Sequence, residues 1–295
     1  MTASTHGANH TNTNLATGLP LKATDAFKSL QPSARMPVLF LGHGSPMNAI
    51  EDNEYRRSWQ ALGAEFGGKF PRPQLILCIS AHWLTHGWWL TAMPKPKTIH
   101  DFGGFPQALF DQQYPAPGAP LAAREISGLF KTPSVGLDPQ EWGFDHGTWS
   151  VIKPMFPLAD IPMIQLSIDY DRPAAEHFGI GQQLKALRDR GVLIVGSGNT
   201  VHNLRAMRRD MPSMQAFDWA LEFDRFTADH ISKGDLAGLS NFQKLGKVAQ
   251  MAHPTYDHFL PLLYSAGAVD AAEPVRYFNA NYQMGAIAMR SVVWG

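Results

Sequence analysis

The chain has one cysteine, Cys78, no apolar run of membrane-spanning length, and no surplus of charge of either sign. A lone cysteine excludes an internal disulfide and any paired-cysteine zinc site, and points to a reducing, cytoplasmic compartment. Apolar stretches such as Val38 to Leu41 and Val192 to Val195 are strand-sized, far short of the ~18 residues that a membrane span requires. Lys and Arg number 25 and Asp and Glu 25, with only 17% of residues charged, so nothing marks a nucleic-acid or anionic-membrane partner. A small neutral or weakly acidic partner fits better. Residues 1–35 lack the basic start and continuous apolar segment of a signal peptide; rich in Thr, Asn, Ala, Ser and Gly, they read as a disordered leader before one domain over 36–295. A domain of that size buries roughly three quarters of its unfolded surface, so a metal would be present for function rather than for folding. What the sequence does have is histidine, 12 in all.

From Pro37 onward, short apolar runs ending in Gly or a small polar residue alternate with segments of helical periodicity. That pattern predicts a single three-layer α/β/α domain around a mixed, mostly parallel sheet. Val38 to Leu41, Leu75 to Ser80, Met163 to Ile168 and Val192 to Val195 are continuous rather than alternating, as central strands buried on both faces should be. Helices are expected over Pro173 to Arg190 and over Ala216 to Lys233, the latter closed by Gly234 and striped by Trp219, Phe223 and Phe226. Val275 to Phe278 and Ala286 to Val293 read as an antiparallel hairpin at a sheet edge.

Open α/β sheets bind ligands at the carboxyl ends of their strands. Three of the expected strands run there into Gly42-His43-Gly44-Ser45-Pro46, Ser80-Ala81-His82-Trp83 and Gly196-Ser197-Gly198-Asn199-Thr200-Val201-His202-Asn203. One histidine near a strand end is ordinarily a hydrogen-bonded loop residue, but this convergence predicts a metal site built from His43, His82 and one further residue. Trp142 to Trp149 and His253 to Pro261 are candidates for the same rim. His86, His177 and His230 read as ordinary. His100, in Thr98-Ile99-His100-Asp101-Phe102-Gly103-Gly104-Phe105-Pro106, is a candidate for a substrate loop. Ser45 lacks the G-x-S-x-G frame of a hydrolase elbow, and Gly196-Ser197-Gly198 has Val201 where a dinucleotide fingerprint needs its third glycine.

Taken in order, these segments, with Gly143-Phe144-Asp145-His146-Gly147 and His258-Phe259-Leu260-Pro261, resemble the class III extradiol ring-cleaving dioxygenases, in the DOPA 4,5-dioxygenase-like branch. The resemblance covers nearly all of residues 36–295. It implies a non-haem Fe(II) enzyme that opens a small catechol such as DOPA with O₂, beside rather than between the two hydroxyls. His43 and His82 match the family's histidine ligands and His258 the third ligand, with Asp257 adjacent and no glutamate at the place where a related type has one. His202 matches the acid/base histidine and His146 a histidine facing the substrate; Ser45, His100 and Phe105 are candidate substrate contacts. Octahedral iron has six places, of which a bidentate catechol and O₂ take three, so His202 would bind metal only in a resting form. An imidazole pKa of about 6.5 suits its proton transfer. Trp83, Phe102, Phe105, Phe144 and Trp149 are candidates for apolar walls. Zn(II) outranks Fe(II) at N/O sites and is expected in purified protein, inactive toward O₂. A zinc hydrolase on the same histidines, or a metal-binding relative without turnover, are the alternative readings.

Overall fold

The computed structural model describes residues 27–295. The central sheet contains β1 (Val38–Gly42), β2 (Leu75–Thr85), β3 (Trp88–Thr91), β4 (Val135–Asp138), β5 (Met163–Asp169), β6 (Val192–Gly198), β7 (Val275–Phe278) and β8 (Ser291–Trp294). Their order across the sheet is β7-β8-β1-β6-β2-β5-β3-β4. β1, β6, β2 and β5 run parallel at the centre, whereas β8 pairs antiparallel with β1, and β3 meets β5 antiparallel at Leu90 and Leu166. The expected central strands are thus the central strands.

Their continuous apolar sequences serve two cores, because successive residues of a strand face opposite sides of the sheet. Val38 and Phe40 pack with Ile180, Leu184 and Leu263 of the helices Ala174–Leu184 and Leu260–Gly267. Leu39 and Leu41 pack on the other face with Trp59 of helix Glu54–Ala64 and Trp149 of helix His146–Met155. Three layers result.

Several boundaries differ from expectation. The helix expected to end at Arg190 is α-helical only to Leu184 and tightens to a 3-10 turn over Lys185–Arg190, ended by Gly191 at φ 69°. The next expected helix spans Asp218–Ser232. The edge hairpin is real but shorter: β7 pairs with β8, while Ile287–Ala288 leaves the edge to form a separate small ladder with Tyr282–Gln283 and Val201–His202. Left-handed backbone at Asn279, Met284 and Gly285 makes that departure. Residues 27–35, expected within the disordered leader, are instead packed: Phe27 and Leu30 are buried in the first core, and Lys28 and Ser29 donate backbone N–H groups to Glu125. Two apolar side chains and a carboxylate anchor suffice to order so short a stretch. The rest of the expected leader, with His6 and His10, lies outside the described residues.

His177 has the structural role expected of it. Trp88 Nε1 donates to the Tyr264 hydroxyl at 2.8 Å, so that hydroxyl donates its own proton to His177 Nδ1 at 2.8 Å, leaving Nε2–H for the Arg172 carbonyl at 3.1 Å. Burial depresses the His177 pKa to about 4. As pH falls below about 6.5 the unfolded chain therefore takes up this proton first, and stability present above that pH is lost down to about pH 4, by roughly 3 kcal/mol. Urea unfolding between pH 7 and pH 4.5 should show a clearly shallower pH slope in His177→Gln than in the parent. Equal slopes would refute this assignment.

Candidate active site

At the carboxyl end of β1 the chain must turn sharply. Gly44, at φ 56°, permits the turn, and the Asn48 side chain donates to the His43 carbonyl at 3.1 Å. His43 is thereby held at the sheet rim, with its own N–H on the Gly198 carbonyl of β6. His82 lies within β2, where the register with β5 slips between Ile79 and Leu84. His202 is carried by the small ladder, paired with Ile287. His146 opens its helix, whose N-cap Asp145 accepts from Thr148 N. His258 lies just before helix Leu260–Gly267, and its carbonyl accepts from Asn199 N at 2.9 Å.

These histidines meet. His43 Nε2 and His82 Nε2 are 3.4 Å apart, and one ring nitrogen from each of His43, His82 and His258 lies within 4.8 Å of the others. Ligand nitrogens about 2.0–2.1 Å from a common ion would stand roughly 3 to 3.4 Å apart, so little closure is needed to hold a metal. The outer nitrogens fix the tautomers. Ser197 Oγ spends its proton on the Gly147 carbonyl (2.5 Å) and so accepts from His43 Nδ1 at 3.0 Å. Asp257 Oδ2 accepts from His258 Nδ1 at 2.5 Å, and Asp101 Oδ2 lies 3.3 Å from His82 Nδ1. His43 and His258 are thereby left with a bare Nε2 lone pair, His82 presents its Nε2 to His43, and outer partners of this kind can orient metal ligands. Asp257, the alternative candidate for a third ligand, is engaged with His258 Nδ1.

His202 lies outside the three-histidine cluster. Its ring stacks on His258 at 3.5 Å between centroids and 4° between planes. His146 flanks His82 at 3.9 Å, with its Nδ1 2.9 Å from Asp101 Oδ2 and its backbone N–H on Asp101 Oδ1. Burial, followed by mutual repulsion among the imidazoles, pushes His43 and His258 well below the usual histidine range. Burial likewise takes His82 to about 3 and His202 to about 4. The expectation of an unshifted pKa at His202 is corrected accordingly: desolvation keeps the ring neutral. Asp101, by contrast, is held below the usual carboxylate range by His146 and His82 in spite of its burial. These neutral rings can accept a cation without first losing a proton of their own.

The cluster forms the floor of a cavity of about 550 Å³. Ser45 and Phe105 line it as expected, together with Phe102. His100 does not: it is outside the lining, with Nε2 2.8 Å from the Gln112 carbonyl and its ring packed on Phe102 and Trp149. Asp101, one residue on, is the side chain of that loop that reaches the histidines. Of the other candidate walls, Phe144 and Trp149 are buried in the second core, and Trp83 stacks on Trp142. Sequence reasoning missed Leu204, Met207, Arg209, Gln283, Met284 and Ile287, which complete the wall from the segment after His202 and from the small ladder.

Gly198 shows how tightly the histidine cluster is supported. A Cβ there would stand 2.1 Å from the His258 carbonyl oxygen, a backbone atom that can yield only by moving His258. Gly198→Ala is expected to cost about 1–3 kcal/mol of stability and to weaken metal retention, both measurable by denaturant unfolding and metal analysis. Full metal retention would contradict it.

Comparison with known proteins identifies the family. Residues 37–292 match the family described as the catalytic LigB subunit of aromatic ring-opening dioxygenase. The chain is 48% identical over 268 residues to a 4,5-DOPA dioxygenase extradiol of Escherichia coli K12, covering 90% of this chain and 97% of that one. It is 38% identical to a protein of the same name from Portulaca grandiflora, over 78% and 84% of the respective chains. A crystal structure of an uncharacterized Escherichia coli K12 protein superposes with a TM-score of 0.74 at 43% identity, covering 88% of this chain and 100% of the other. Among the described residues no helix is long and apolar enough to cross a membrane. The chain belongs to the LigB family of aromatic ring-opening dioxygenases, on the branch of the extradiol enzymes named for DOPA.

Proposed function

We propose that this extradiol dioxygenase is metal-dependent, holds Fe(II) on His43, His82 and His258, and opens the ring of a small catechol such as DOPA. The observation that carries the proposal is the cluster of ring nitrogens from these three histidines, with Ser197, Asp101 and Asp257 at their outer nitrogens. Three neutral imidazoles suit a borderline divalent ion and leave the remaining octahedral positions for substrate and O₂. Bound there, Fe(II) would acidify the catechol and bring ring and O₂ together. The protein's own residues do the rest. His202, neutral and stacked on His258, takes the proton from the nearer hydroxyl and returns it after ring opening. His146, held by Asp101, faces the other side of the substrate, while Phe102 and Phe105 hold the ring and keep out water.

Anaerobic loading with Fe(II), followed by catechols and O₂, should give O₂ uptake and the yellow ring-opened semialdehyde. Zinc-loaded protein should bind catechols without turnover. No uptake across a broad catechol panel would overturn the proposal, and turnover of ester or amide substrates by the zinc form would favour the hydrolase reading.

A further inference from the structure

The cavity's outer wall contains one basic side chain, Arg209, and one carboxylate, Asp101. Their commitments differ. Asp101 is close to partners of its own: Oδ1 accepts from His146 N at 2.8 Å, and Oδ2 lies 2.9 Å from His146 Nδ1 and 3.3 Å from His82 Nδ1. Arg209 forms no ion pair or side-chain hydrogen bond among the described residues. Its neighbour Arg208 pairs with Asp210 at 2.5 Å. The backbone around Arg209 is nonetheless fixed, since Arg208 N donates to the Met284 carbonyl at 2.9 Å and Tyr282 N to the Ser213 carbonyl at 2.8 Å. Apolar Leu204 and Met207 line the same wall.

Resting on the proposed catechol reaction, we infer that Arg209 is a specificity-determining residue. It selects catechols whose side chain ends in a carboxylate and ignores an α-amine on the same side chain. Arg209 lines the same cavity as the histidines, so its planar guanidinium can offer paired donors to a carboxylate carried on a substituent of the bound ring. An ammonium finds no such partner, because the one lining carboxylate is occupied. DOPA carries both groups, and on this reading only its carboxylate is recognised.

The test uses the full chain and four probes: L-DOPA, 3-(3,4-dihydroxyphenyl)propionate, dopamine and 4-methylcatechol. Calorimetric binding to the zinc-loaded protein reads the anion contact without turnover. L-DOPA and the propionate should bind within about threefold of each other and roughly tenfold more tightly than 4-methylcatechol or dopamine. That ratio should collapse in Arg209→Gln, recover in part in Arg209→Lys, and shrink as KCl is raised. A ratio that persists in Arg209→Gln, or L-DOPA binding more than tenfold more tightly than the propionate, would overturn the inference. Turnover by the iron-loaded chain separates the two failures. The expected ratio with no ring opening would refute the reaction and leave the anion contact standing, whereas ring opening with no ratio would refute the anion contact alone.

Discussion

Alanine in place of His43 is expected to strip the protein of bound metal while leaving it folded. The side chain is 1% exposed and supplies one of the three clustered ring nitrogens, held in place through its Nδ1 by Ser197. Four-ligand zinc sites bind with about 10–16 kcal/mol, or roughly 3 kcal/mol per ligand, so losing one should weaken affinity about 10²–10³-fold. Metal content after desalting should fall to background, and ring opening with it. Folding should survive, because the substitution removes no apolar side chain from either core. His82→Ala should behave alike, with the added effect of leaving Asp101 to His146 alone. Retention of a full equivalent of metal by either variant would refute the ligand assignment.

His202→Ala should give the opposite separation: metal retained, turnover lost by about 10²–10⁴-fold, the range expected for a positioned acid or base. His202 is outside the three-histidine cluster and touches it by stacking on His258, so its removal loosens one face of that ring without removing a donor. Metal content, affinity for a catechol in the zinc form, and kcat should be measured together. The expected pattern is unchanged metal, catechol affinity within a few-fold, and a collapsed kcat. Loss of metal would make His202 a ligand, and normal kcat would remove it from proton transfer.

The sequence made the site's floor readable and its walls opaque, for a physical reason. β1, β2 and β6 announce themselves because strands buried on both faces must be continuously apolar, and the residues just beyond such strands are where open sheets bind ligands; His43, His82 and His202 follow from that rule. His258 does not follow from it. It precedes a helix, and only its likeness to a family pattern singled it out. The walls come from residues 203–217 and 279–288, where no period of 2 or 3.6 indicates which side chain turns inward. The expectation for His100 fails for the same reason: within an irregular loop adjacent residues differ in direction, so the His100 ring packs on Trp149 while Asp101 meets His146. Residues 27–35 were misjudged because composition averages over a window, whereas Phe27 and Leu30 act singly.

The small ladder of Val201–His202, Ile287–Ala288 and Tyr282–Gln283 divides the molecule's labour. Two of the proposed ligands, His43 and His82, stand on or just beyond strands of the large sheet, whereas His202 shares its ladder with Gln283 and Ile287 of the substrate wall. Variation in the ladder and its adjoining loops can therefore retune which ring is accepted and how its proton is handled, together and as one cassette. The histidines of the large sheet proposed to hold the ion would stay as they are.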